Sequence, residues 1–85
     1  MIKLQEYQPG ETVLNAGQLG KGFCILEEGT LEVIRDEKVL SEIDTKGSIF
    51  GELSEILGMK RDASIRAKTP STVRHVEESI ADIVA

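Results

Sequence analysis

The chain has no tryptophan and only three aromatic residues, Tyr7, Phe23 and Phe50. A core without large rings must be filled by Ile, Leu and Val, a composition that suits strands. The single cysteine, Cys24, cannot form an internal disulfide, which fits a reducing compartment, and it is expected to be a small core residue. One cysteine and one histidine, His75, are too few for an iron–sulfur cluster or a multi-histidine metal centre. With no nucleophile–base pair in view either, no catalytic residue, metal ligand or cofactor is assigned. No apolar run is long enough to span a bilayer, and no basic-then-apolar leader opens the chain. The expectation is a cytoplasmic protein without a membrane contact. Basic excess is also missing: a net charge of −5 argues against direct nucleic-acid contact.

What remains is one small domain of 85 residues, 40% hydrophobic and punctuated by eight glycines. Strands are expected over Ile2–Gln8, Glu11–Asn15, the apolar run Phe23–Leu26, Leu31–Arg35, Val39–Ile43, Ala63–Ala67 and Thr72–Val76. Turns fall at Pro9-Gly10, at Glu28-Gly29, which reads as a hairpin, at Asp36-Glu37 and at Thr69-Pro70. Between Ala16 and Gly22 lie three glycines, a loop that can bend sharply or admit another backbone. Many short strands with regular turns indicate an antiparallel, jelly-roll-like β-roll, since parallel pairs need longer crossovers.

One stretch breaks that pattern. From Ile49 to Ala67 the chain reads IFGELSEILGMKRDASIRA. Gly51 lets the backbone approach a ligand, and Glu52 opens a short helix in which Leu53, Ile56 and Leu57 share a face, with Gly58 as its cap. Arg61 adds a planar fork of donors, and the whole reads as an anion cradle. Basic residues cluster nearby, with Lys60, Arg61, Arg66, Lys68 and Arg74 against the single acid Asp62. At the end, 77–85 begins an amphipathic helix through Ile80, Ile83 and Val84.

Phe50-Gly51-Glu52-Leu53 followed by Arg61, Ala63 and Ser64 resembles the phosphate-binding cassette of cyclic nucleotide-binding domains. These are the β-roll modules of catabolite-type regulators, cyclic-nucleotide-dependent kinases and cyclic-nucleotide-gated channels. The earlier part follows the same pattern through Tyr7, Pro9-Gly10-Glu11, Val13, Gly17, Gly20, the Phe23–Leu26 run, Gly29, Leu31 and Val33. The resemblance implies a β-roll over 1–76 with its cassette at 49–64, followed by the start of a hinge helix at 77–85. It is a minimal form, without the family's N-terminal helix and its longer capping helix.

By that resemblance, Glu52 accepts the ribose 2′-hydroxyl and Arg61 pairs with the cyclic phosphate. The amides of Gly51, Glu52 and Leu53 and the Ala63–Ser64 region complete the cradle. Asp62 stands where kinase-type domains often carry alanine or threonine; its carboxylate cannot donate to phosphate but could accept from a guanine amino group. The base is thus open between cAMP and cGMP. Arg74-His75 replaces an aliphatic run, and His75 is expected to be exposed or on an edge strand. The function implied is a sensing module, the input half of a larger regulator with an attached effector. The alternative is a ligand-free roll serving as an interaction or homodimerisation module.

Overall fold

A computed structural model describes residues 2–18, 22–52 and 61–77. Eight strands are divided between two four-stranded sheets: β1 (Ile2–Tyr7), β2 (Thr12–Leu14), β3 (Phe23–Glu28), β4 (Leu31–Arg35), β5 (Lys38–Ile43), β6 (Ile49–Phe50), β7 (Ser64–Ala67) and β8 (Ser71–Val76). The first sheet runs β1-β8-β3-β6 and the second β2-β7-β4-β5, with every pairing antiparallel. This is the β-roll expected from the strand and turn pattern. The short helix after Glu52 and the helix expected from Glu77 onward lie outside the described residues. Among the described residues, no helix is long and apolar enough to cross a membrane.

The inner faces of both sheets supply the core: Tyr7, Val13, Cys24, Leu26, Leu31, Phe50, Ile65, Ala67 and Val73. Period-two alternation sets this arrangement, because β7 buries Ile65 and Ala67 while turning Ser64 and Arg66 outward. Leu26, Leu31 and Val73 are completely enclosed, so truncating any of them would leave a cavity.

Of the consecutive strands, only β4 and β5 form a hairpin; its loop, Asp36-Glu37, has φ of 51° and 66°. Positive φ at both positions gives the turn whose twist matches the strands it joins. Glu28-Gly29 is a different case and corrects the expectation of a hairpin there. It carries the chain from β3 in one sheet to β4 in the other. That crossover packs against a second one between β7 and β8: Thr30 N donates to Thr69 Oγ1 at 2.9 Å, and Lys68 N donates to Thr30 O at 2.9 Å. The buried Ser71 hydroxyl donates to Thr69 O at 2.7 Å. A turn signal marks where a chain bends, but pairing depends on which sheet then receives it.

β6 went unrecognised in the sequence because it is two residues long, too short for any periodicity. It pairs with β3 through Cys24↔Phe50 and Ile25↔Ile49. This pairing delivers Gly51 to the edge of the first sheet.

Candidate functional site

Phe50 anchors the site by burying its ring in the core, after which Gly51 turns with φ +82°. A side chain at Gly51 would lie 3.1 Å from Leu14 Cδ1 and 3.3 Å from Arg61 Nη2. The sequence places these residues ten apart, and the fold brings the guanidinium to the glycine's face. Glu52 follows, half-buried. Leu53 lies outside the described residues.

Arg61 is held by its own backbone. Its amide donates to Gln18 O at 2.8 Å, and its carbonyl accepts from Gly17 N at 2.7 Å. Its side chain is less well provided for: Nε is buried and makes no hydrogen bond. Other members of the basic run have carboxylate partners. Arg66 meets Glu32 at 3.4 Å, Lys68 meets Glu42 at 2.6 Å, and Arg74 Nε, although poorly aligned for a hydrogen bond, lies 3.0 Å from Glu27. Among the described residues Arg61 has no such carboxylate. A buried cationic donor without a partner is costly. Arg61 is thus separated from the solvated strand face that its basic neighbours form.

The remaining predicted residues divide. Asp62 turns outward: its side chain is 84% exposed and meets Arg35 Nη1 at 3.5 Å. Ala63 is half-buried on the way into β7. Ser64 spends its hydroxyl within the protein, accepting from Ala16 N at 2.9 Å. Among the described residues, no cluster of three or more His, Cys, Asp and Glu could hold a metal ion.

His75 departs from expectation. It lies on β8, an interior strand between β1 and β3, and is half-buried. Its Nε2 is 2.7 Å from the Tyr7 hydroxyl and its Nδ1 3.4 Å from Cys24 Sγ, so in the neutral ring one nitrogen donates and the other accepts. Burial lowers its pKa, opposed by Glu77 and assisted by Lys3. Burial also pushes the Cys24 thiol up to about 11, countered by the charge of Arg61, and raises Tyr7. The missed signal was parity, because His75 shares its strand face with Val73 and Ser71, both buried.

Comparison with known proteins gives a consistent picture. The family model of the cyclic nucleotide-binding domain matches residues 4–82. A cAMP-dependent protein kinase regulatory subunit from Schizosaccharomyces pombe is 40% identical over 63 residues, covering 74% of this chain and 15% of that protein. Human cGMP-dependent protein kinase 2 is 38% identical over 65 residues, covering 76% of this chain and 8% of the kinase. Among solved structures, cAMP-bound PfPKA-R superposes with a TM-score of 0.82 at 32% identity, covering 89% of this chain and 27% of that one. The chain therefore spans a small part of the length of these relatives.

Proposed function

The chain belongs to the cyclic nucleotide-binding domain family, and from that premise we propose that it is a regulatory sensor binding cAMP or cGMP beside Gly51 and Arg61. The observation that carries this reading is the Arg61 guanidinium, whose Nε is buried without a hydrogen bond among the described residues and whose Nη2 borders the space that a Gly51 side chain would fill. The cyclic phosphate would take that guanidinium together with backbone amides at Gly51, Glu52 and Leu53. Glu52 would accept the ribose 2′-hydroxyl, and Ala63, lacking bulk, would let the phosphate approach.

Asp62 is the residue that would read the base. A guanine amino group would have to compete with Arg35 for its carboxylate, whereas adenine offers it less, so cGMP binding should be the more sensitive to Asp62→Ala. No chemical step is required of such a module. Ligand binding shifts the balance between two packings, and the message passes to an attached effector or to a second copy, in the cytoplasm. The small share of its relatives' length that the chain spans supports an effector lying outside it.

Thermal unfolding with added nucleotide tests the reading. At one hundred times Kd, a ligand that binds only the folded state adds about 2.7 kcal/mol of stability. A rise in Tm with cAMP or cGMP is expected. Unchanged melting with both, at millimolar concentration, would return the chain to the class of ligand-free interaction modules.

A further inference from the structure

The loop Ala16–Gln18 lies outside the cradle, yet it holds the cradle's cation. β2 pairs with β7 through Thr12↔Arg66 and Leu14↔Ile65, with a register shift between the two pairs, and the ladder stops there. Beyond Leu14 the two chains stay together through three bonds: Ala16 N to Ser64 Oγ at 2.9 Å, Gly17 N to Arg61 O at 2.7 Å, and Arg61 N to Gln18 O at 2.8 Å. The first uses a side-chain oxygen where a backbone carbonyl would have served. The other two fix both backbone polar groups of Arg61, and so the point from which its guanidinium reaches Gly51.

We propose that Ser64 is a positioning residue for anion binding, acting through the Ala16–Gln18 loop on Arg61 and not by touching the ligand. The proposal rests on the sensor reading above, in which Arg61 takes the phosphate. The Ser64–Ala16 bond is exposed, so its loss should leave global stability nearly intact while loosening the two bonds that hold Arg61. Gly17 belongs to the same device. It has φ +84° with open space around it, so alanine there strains the loop without meeting any neighbour.

The test compares parent, Ser64→Ala, Ser64→Thr and Gly17→Ala by calorimetry with cAMP and cGMP and by amide hydrogen exchange of the free protein. Ser64→Ala should bind about fivefold more weakly, with faster exchange at Gly17 and Arg61. Ser64→Thr, which keeps the hydroxyl, should restore both, and Gly17→Ala should reproduce the loss. Parent-like exchange at Arg61 in Ser64→Ala overturns the proposal: with parent-like affinity Ser64 does nothing, and with weakened affinity it touches the ligand itself. If the parent binds neither nucleotide the sensor reading fails, and exchange at Arg61 alone still decides whether Ser64 positions it.

Discussion

Gly29 and Gly51 both have positive φ, +95° and +82°, at two junctions of the roll that differ in what surrounds them. A side chain at Gly29 would collide with the Ser71 hydroxyl and come within 2.5 Å of Pro70 O and 2.7 Å of Ser71 Cα. Two of those obstacles are backbone, locked by the bonds between Thr30 and the Lys68–Thr69 crossover. At Gly51 the nearest atoms are the tips of Leu14 and Arg61 side chains, at 3.1 and 3.3 Å. The first junction is closed on itself and serves the fold. The second faces the side chain of Arg61, whose buried Nε makes no hydrogen bond among the described residues, and in the proposed reading it serves a ligand.

That contrast makes graded predictions. Gly29→Ala should be the more damaging of the two glycine changes, costing about 3 kcal/mol from left-handed strain and overpacking against backbone, read as a lower denaturant midpoint. Gly51→Ala should cost only about 1 kcal/mol, because side-chain tips can yield. Its larger effect should be on nucleotide affinity, since the guanidinium is one of the two tips that must yield. Equal stability losses at the two glycines would erase the distinction between the junctions.

A smaller effect concerns pH. The fold lowers the pKa of His75, so it favours the neutral ring; stability is complete above the unfolded value of about 6.5 and declines as pH falls through it. As the single histidine, His75 should account for a lower denaturant midpoint at pH 5.5 than at 7.5, and His75→Gln should flatten that difference. A slope unchanged in the variant would assign the acid sensitivity elsewhere. Smallest of all, Arg35→Gln should change stability by less than about 0.5 kcal/mol, because its pair with Asp62 is exposed.

The same two junctions show what a sequence can and cannot disclose. Alternation of Ile65, Ala67 and Val73 with polar residues marked their strands, because period-two burial is written locally. Glycine at position 29 signalled a bend, but whether β4 paired with β3 or crossed to the other sheet depends on contacts some 40 residues away at Thr69 and Ser71. Gly51, Glu52 and Arg61 read as a cradle from their types and spacing, and the fold brings the Arg61 guanidinium to Gly51. That Arg61 Nε is buried without a hydrogen bond among the described residues cannot be read in the sequence, since it depends on where every nearby carboxylate ends up. The resemblance places Ser64 in the cradle, and its acceptance of a hydrogen bond from Ala16 N depends on the path of the Ala16–Gln18 loop.

Calorimetric titration of cAMP and cGMP into the parent and Arg61→Ala is the most direct test of the claim that Arg61 is the anion anchor. Binding by the parent is expected, with a loss on the order of 1.5 to 3 kcal/mol in the variant and an unfolding midpoint that is unchanged or slightly higher because a buried donor without a hydrogen bond is removed. Parent-like affinity in Arg61→Ala would contradict it.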